Sequence, residues 1–354
     1  MRSRSNGGII GAYALPTQNY ANGVFYIHDA AIYNTGPNPI WPLGSGYIYS
    51  ATGGTIATAV DNPNYKTHTF TSNTTFTVVS GASYLEILLV GGGGGGGSAT
   101  NQTTLSACGG GGGGGGVTLV TTWVNPGTVF TVEIGIPTAV TTTTEVPGKV
   151  TRVTSTAGHN YSAIGGGGGR SSSGFTNTSG LAGTNGGSGG GGNAGSGTSG
   201  TFIGAAGTGT VDQGNNGGTG YYSSTNTGHF AGGGGGGAAG TGYKAYDTTY
   251  PSLEAHGGDG YLWSRTARYY GAGGGGGSNG TPSPTGLPGK HGDGTTSQTL
   301  GAGGHGNQSG TDVTSSYYYG LGGGGASVVG GASILTYYGG NGGPGTVIFC
   351  YRYK

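Results

Sequence analysis

Most of the side chains that could bind a ligand lie in a Tyr-rich part of the sequence, between residues 221 and 338. Thirteen of the 24 tyrosines fall there, in short stretches such as GYLWSRTARYY and SSYYYG. Tyrosine mixed with Ser, Gly, Asn and Thr is typical of antibody combining sites, in which rigid rings give contact area at low entropic cost. The candidate binding residues are Tyr221, Tyr222, Tyr243, Tyr246, Tyr261, Trp263, Arg265, Arg268, Tyr269, Tyr270, Tyr317, Tyr318 and Tyr319.

Two interpretations of these residues stay open at this stage. The rings could bind a receptor, or they could cap glycine-rich segments that have no side chains of their own. The pair Arg265 and Arg268 beside Trp263 could hold an anionic sugar or a phosphate, because a planar guanidinium suits such groups. It could also do no more than solubilise a loop.

Catalytic and metal-binding patterns are weak. His256 lies near Asp259 and His291 near Asp293, yet the sequence has only 11 acidic residues and places no further carboxylates nearby. Glycine-loop motifs such as G-x-G-x-x-G occur by chance in a chain this rich in glycine, so they do not indicate a function. No P-loop pattern is present. We therefore expect no enzymatic activity, no cofactor and no metal.

Charge and hydrophobicity exclude further classes of function. Charged residues make up 6% of the chain and the formal net charge is +1, so we expect no binding to nucleic acid. The longest apolar stretch, Tyr84 to Val90, is too short for a membrane span, and the first residues contain no apolar signal core. Cys108 and Cys350 are expected to be unpaired thiols rather than a bridge or a metal site.

The elements that must position these groups are strands. Alternating apolar and polar residues predict strands in HTFTSNTTFTVV, VTLVTTWVNPGTVFTVEIG and the ending TVIFCYRYK. SYLEILLV is apolar on both faces except at Glu86, which predicts a central strand, and EVPGKVTRV gives a hairpin-like signal. The ending is expected to return and pair with the early strands. No segment has the apolar period of a helix.

Runs of glycine separate the polar and aromatic excursions. The longest begin at Gly91, Gly109, Gly165, Gly232, Gly273 and Gly322, and 93 residues in all are glycine. Extended left-handed helices with about three residues per turn can pack backbone to backbone when no Cβ is present. The sequence thus predicts an all-β, irregular fold with almost no α-helix, in which a small β-sandwich-like region frames a bundle of polyglycine II helices.

Four regions are expected along the chain. Residues 1–60 form an N-terminal attachment segment, and residues 61–164 a β-rich region with the first glycine runs. Residues 165–345 form the glycine bundle with its loops, and residues 346–354 the returning strand. Removal of residues 1 to about 50 should leave the rest folded.

Three stretches resemble the glycine-rich domains of bacteriophage tail-fibre and tail-tip proteins. They are FTSNTTFTVVSGASYLEILLVGGGGGGG, GGGGGGGGVTLVTTWVNPGTVFTVEIG and GGPGTVIFCYRYK. The inferred architecture is similar to the polyglycine-helix adhesins of T-even phages. The start, NGGIIGAYALPTQNYANGVFYIHDAAIYNTGPNPIWP, resembles the N-terminal segments of tail proteins from marine and cyanobacterial phages.

The resemblance implies a virion protein that binds a host cell-surface receptor, which could be a glycan, through loops on a rigid scaffold. Its partners would be other tail proteins, bound by the N-terminal segment, and that receptor. The protein would be assembled in the host cytoplasm, without membrane insertion, and be present in several copies, as trimers or monomers. The alternatives are a structural connector or decoration protein without receptor binding, and an ice- or matrix-binding polyglycine protein.

Overall fold

The fold is described from a computed structural model. It describes residues 47–101, 105–137, 139–141, 143–173, 182–195, 201–223, 230–245, 255–279, 286–291, 300–304, 306–314 and 318–354. Within these residues the chain forms strands, turns and extended segments, and it contains no helix. The all-β, irregular fold class predicted from the sequence is therefore confirmed.

Twenty strands are present in the described residues. The first ten are β1 (Tyr47–Thr52), β2 (Thr55–Thr58), β3 (Tyr65–Phe70), β4 (Thr74–Val90), β5 (Ala99–Thr100), β6 (Ala107–Cys108), β7 (Val117–Val124), β8 (Val129–Glu133), β9 (Thr151–Ser155) and β10 (Asn160–Ala163). The others are β11 (Ser172–Ser173), β12 (Ala194–Gly195), β13 (Thr201–Gly204), β14 (Gly220–Ser223), β15 (Phe230–Ala231), β16 (Tyr261–Trp263), β17 (Arg268–Tyr270), β18 (Ser327–Val328), β19 (Thr336–Tyr337) and β20 (Thr346–Arg352).

Nine strands form the larger sheet. Their order is β10-β9-β8-β4-β20-β3-β2, and β1 and β7 also pair with β4. The first half of β4 pairs with β1 and β8, whereas its second half pairs with β7 and β20. The C-terminal strand β20 lies between β3 and β4. The two chain segments that are farthest apart in the described sequence thus meet in one sheet.

The two halves of β4 face each other across a single core. Phe76 and Ile87 are 11 positions apart in β4, which in a straight strand is about 35 Å. Yet Phe76 stacks on Phe349, the cross-strand partner of Ile87, with ring centroids 4.3 Å apart. The strand must therefore bend, and Gly81 between them has a φ of 85°, which glycine adopts without the strain that a Cβ brings.

A buried histidine lies inside this aromatic core. The Nδ1 of His68 is 2.6 Å from the carbonyl oxygen of Gly53, so it carries the proton and donates it. The Nε2 of His68 then accepts a hydrogen bond from the hydroxyl of Tyr351 at 3.0 Å. Burial lowers the pKa of His68, and the Gly53 carbonyl opposes this effect while the charge of Lys66 adds to it.

We expect the free energy of unfolding to decrease as the pH falls below about 6.5, the ordinary pKa of histidine. Below this pH the histidine of the unfolded chain binds a proton, whereas His68 of the folded chain has a lower pKa and stays neutral. The stabilisation that is present above this pH is therefore lost as the pH falls through the folded pKa of His68. Urea unfolding between about pH 8 and pH 5 measures the slope. His68→Gln should reduce that slope but not abolish it, because burial also lowers the pKa of His256. Equal slopes in parent and variant would contradict the expectation.

Six glycine runs are held outside the sheets by backbone hydrogen bonds. They are run 1 (91–97), run 2 (109–116), run 3 (165–169), run 4 (232–237), run 5 (273–277) and run 6 (322–325). None lies in a strand, and none of their glycines has a left-handed φ. The amides of run 1 donate in rotation to run 2, to segment 146–149 and to segment 340–343. Every third amide therefore reaches the same neighbour.

Run 2 is surrounded by six neighbours. Its amides donate in rotation to run 6, run 3 and run 4 and to the residues that flank them, at 2.7–2.9 Å. Its carbonyls accept from run 1, from segment 188–191 and from run 5. A three-residue repeat is that of the extended left-handed helix. The polyglycine II dihedral angles of the runs stay a prediction.

The predicted regions 61–164 and 165–345 interleave in space. Runs 1 and 2 come from the first region, and both are hydrogen-bonded to runs 3 and 6 from the second. We call the assembled runs and the segments between them the glycine lattice. Its interior is made of backbone, and the larger sheet is attached to it through β4, β7, β10 and β20.

The predicted N-terminal region 1–60 includes two strands of the larger sheet. Residues 1–46 lie outside the described residues, but β1 pairs with β4 and β2 pairs with β3. Ile48 in β1 is fully buried in the core. A cut at about residue 50 would remove most of β1, so we expect it to destabilise the fold, and the expectation that the rest of the chain stays folded remains a prediction.

Candidate functional site

The Trp-containing excursion folds as a hairpin against the larger sheet. Strand β16 pairs with β17 in antiparallel register. Trp263 and Tyr270 are buried, and together with Tyr319 they pack in one cluster with Leu88 and Ile348 of the sheet. These three rings pack on the sheet, so most of their surface is buried, and their expected role in receptor binding stays a prediction.

Arg265, in the turn of this hairpin, is already bound by acidic groups. It donates from Nη2 to Glu86 Oε1 at 2.6 Å and from Nε to Glu86 Oε2 at 3.0 Å. Its Nη1 lies 3.3 Å from Asp61 Oδ2, and its guanidinium lies 4.1 Å from the ring centroid of Tyr65. The hydrogen bonds to Glu86 raise the pKa of Arg265 above its ordinary value. Nε, Nη1 and Nη2 of Arg265 thus each donate to a carboxylate of the protein, which leaves fewer N–H groups for an outside anion. The expectation that Arg265 binds an anionic sugar or phosphate stays a prediction.

The other sequence candidates lie at several places. The side chains of Tyr261, Arg268 and Tyr269 in the hairpin are half-buried. Tyr318 is also half-buried, but it packs against His291 and the cluster that contains Leu321. Burial raises the pKa of the neighbouring Tyr270 hydroxyl to about 12, which keeps it protonated as the partner of Thr266. The structure thus brings the candidates from 261 to 270 together with Tyr319 beside the sheet, and Tyr318 belongs to a different cluster.

Tyr221 and Tyr222 lie elsewhere, in β14. Tyr222 packs on Cys108 and Tyr221 packs on Ala231. Tyr243 lies beside run 4, where its carbonyl accepts from the amide of Gly234. Tyr246 and Tyr317 lie outside the described residues. The tyrosines therefore do not form one surface in the described part of the chain.

A second layer of short strands caps the lattice at the end away from the larger sheet. The chain leaves the larger sheet at Val90, follows run 1, forms β5 and β6, and returns through run 2 to Val117. A seven-residue extended run covers about 20 Å. Strands β11 and β19 pair with β5, and β12 and β18 pair with β6. We call these six strands the far layer.

One buried side chain fixes the loop 329–335 that joins β18 to β19 in the far layer. The Nδ2 of Asn101 donates to the carbonyls of Val329 at 3.2 Å and Ser333 at 3.0 Å. Its Oδ1 accepts from the amide of Leu335, whose carbonyl accepts from the amide of Asn101 at 3.1 Å. Asn101 is fully buried. The loop is therefore held at both of its ends and near its middle by a single residue.

Two further hydrogen bonds hold the same loop. The amide of Gly330 donates to Ser106 Oγ at 3.0 Å, and the amide of Val329 donates to Asn307 Oδ1 at 2.8 Å. With its backbone fixed in this way, the loop exposes Ile334 by 61% and Leu335 by 42%. Exposed apolar groups on an ordered loop are a common form of binding surface. We regard loop 329–335 as the candidate functional site.

Loop 329–335 is not among the binding residues predicted from the sequence, because those residues were chosen for their tyrosine content. An available signal was the doublet Ile334-Leu335, which is apolar but has no alternating pattern that would bury it in a strand. Asn101 gave no signal, since asparagine is frequent in turns. Its role depends on contacts with residues more than 200 positions away.

Other site chemistry is sparse among the described residues. They contain no group of three or more His, Cys, Asp or Glu side chains that could hold a metal ion. Cys108 and Cys350 are both buried and are not joined by a disulfide, and burial raises the pKa of each thiol to about 12. No helix in this part of the chain has the length and hydrophobicity needed to cross a membrane.

Comparison with known proteins gives the family. No curated protein matches the sequence significantly. A family model described as a glycine-rich domain matches residues 68–352, from β3 to the last residue of β20. That match covers well over half of the chain and includes every glycine run. The chain therefore belongs to the glycine-rich domain family.

Proposed function

We propose that this glycine-rich protein is a bacteriophage virion protein, a tail-fibre or tail-tip adhesin whose loop 329–335 binds a receptor on the host cell surface. The observation that carries the proposal is the fixed apolar loop in the far layer. Side chains as exposed as those of Ile334 and Leu335 contribute little to the stability of the fold. Ordering its backbone in advance lowers the entropic cost of binding.

The position of the sheet supports an attachment role at the opposite end. Residues 1–46 join the described chain at Tyr47 in β1, which pairs with β4 in the larger sheet. The far layer lies about 20 Å or more beyond, at the other end of the glycine runs. A virion would thus hold the protein by its sheet end and present the far layer outward. The other tail proteins would be its partners, and assembly would occur in the host cytoplasm.

Virions that carry Ile334→Ser and Leu335→Ser should adsorb to host cells at least about tenfold more slowly, because exposed apolar anchors contribute on the order of 1–3 kcal/mol each to binding. The melting temperature should stay within about 2 °C of the parent, because little buried surface is lost. Adsorption kinetics and thermal melting on the same variants provide the measurement.

Val211→Ser is the matched control. Val211 is also exposed, but it lies in the turn before Gln213, whose carbonyl accepts from the first amide of β7 at the sheet end. This variant should adsorb like the parent. Normal adsorption of the loop variants would instead favour a structural connector or decoration protein without receptor binding.

Deletion of residues 1–46 should leave thermal melting unchanged and abolish incorporation into virions. Deletion of residues 1–52 should also lower the melting temperature, because it removes β1 and the buried Ile48. Purified particles and the isolated chain are compared for both deletions. Normal incorporation of the shorter deletion would contradict the attachment role.

A further inference from the structure

A groove of about 420 Å³ lies between the edge of the larger sheet and the hairpin of β16 and β17. Strands β2 and β3 form its floor, and the hairpin forms its wall. A volume of this order accommodates a small ligand. The loop 329–335 is not part of it, so the groove is a separate place on the molecule.

The floor of the groove is a row of threonines on one face of the sheet. Thr55 in β2 lies directly across from Thr69 in β3, and Thr69 is in turn paired with Ile348 in β20. The hydroxyl of Thr67 donates to the carbonyl of Ala57 at 3.4 Å. Within the described residues, the hydroxyls of Thr55 and Thr69 have no such partner, and each can both donate and accept a hydrogen bond.

The charges at the groove cancel. Arg265 and Arg268 line it, and no carboxylate from the described part of the chain does. However, Glu86 and Asp61 bind Arg265 from behind, so two positive and two negative groups stand together. A net charge of zero gives no general attraction for an anion. A ligand with many hydroxyls and no charge fits this balance better than a phosphate or a sulfate.

Apolar groups complete the lining. Ile348 and the rings of Tyr270 and Tyr319 lie beside the threonine row. The two rings are nearly parallel, with centroids 6.3 Å apart. A sugar ring has a rim of hydroxyls and faces of C–H groups, so it can meet both kinds of lining at once. We propose that this groove binds a neutral saccharide through the hydroxyls of Thr55 and Thr69.

The biological meaning of this site rests on the proposed adhesin role, in which a saccharide of the host surface would be bound near the sheet. Binding itself is a property of the isolated chain. The test therefore uses the purified full-length protein and a panel of methyl glycosides of glucose, galactose, mannose and N-acetylglucosamine, with glucuronic acid as the charged comparison. Saturation-transfer NMR detects binding, and titration gives the dissociation constant.

At least one neutral glycoside should bind, and the double variant Thr55→Val, Thr69→Val should weaken it at least about tenfold, since valine keeps the shape and removes both hydroxyls. Thr131→Val, at an exposed position of β8, is the matched control and should bind like the parent. The assignment is overturned if no neutral glycoside binds, if only glucuronic acid binds, or if the double variant binds as tightly as the parent. If one of these outcomes is found and the Leu335→Ser virion still adsorbs slowly, the adhesin role is supported and the saccharide site in the groove is not.

Discussion

Replacing Gly112 by alanine should lower the free energy of unfolding by about 3 kcal/mol or more, or prevent folding altogether. Gly112 lies in run 2, where its amide donates to Gly323 and its carbonyl accepts from Gly274, both at 2.8 Å. A Cβ at this position would collide with the backbone carbonyl of Gly94. Backbone atoms that hold a hydrogen-bond network cannot withdraw as a flexible side chain can.

The opposing effect of this substitution is small. Alanine restricts the unfolded chain and would by itself stabilise the fold by about 0.4–1 kcal/mol. Gly331→Ala is the matched control, because a Cβ there meets nothing within 4 Å and the residue has no left-handed φ. Thermal melting should show a large loss for Gly112→Ala and none for Gly331→Ala. Equal melting temperatures would refute a core built from backbone contacts.

Replacing Asn101 by alanine should cost about 2–4 kcal/mol locally, because it leaves two backbone carbonyls and one amide without their buried partner. The loss should be confined to the loop that Asn101 holds. Hydrogen exchange should therefore show lost protection of the Gly330 and Leu335 amides, while amides of the larger sheet keep theirs.

The same variant tests whether binding needs an ordered loop or only exposed apolar side chains. If binding depends on a loop ordered in advance, Asn101→Ala virions should adsorb more slowly although Ile334 and Leu335 are intact. Asn160→Ala, at an exposed position of β10, is the control and should change neither protection nor adsorption. Retained protection of Leu335 in Asn101→Ala would show that other contacts hold the loop.

The sequence predicts β3, β4, β7, β8 and β20 because their side chains show a strand pattern, whereas β1 and β2 lie in the region expected only as an attachment segment. The alternation around Phe76, Phe130 and Phe349 identifies the face that these strands turn toward the aromatic core, but it does not show that β20 is buried on both faces. The glycine runs have no side-chain pattern, so their sequence does not specify which run lies beside which. Sequence analysis could therefore anticipate that the runs hydrogen-bond to each other, but not that run 2 has six particular neighbours.

The candidate sites were harder to anticipate for a different reason. Trp263 and Ile334 are both large apolar residues in excursions, and only the tertiary structure shows that the first is buried and the second exposed. Arg265 and Glu86 are 179 positions apart, so neither residue's sequence context reveals the ion pair. The binding chemistry of Thr55 and Thr69 likewise emerges only from their cross-strand register.

The rotation of hydrogen-bond partners along each run sets a rule for how its length can change. Every third amide of run 1 donates to the same neighbour. Removing one glycine would therefore rotate all later amides by a third of a turn about the run axis, so that they would face the wrong partners. Removing or adding three would restore the phase and shift the run by about 9 Å along its axis. Viable length variants of this protein should therefore differ in steps of three residues within a run.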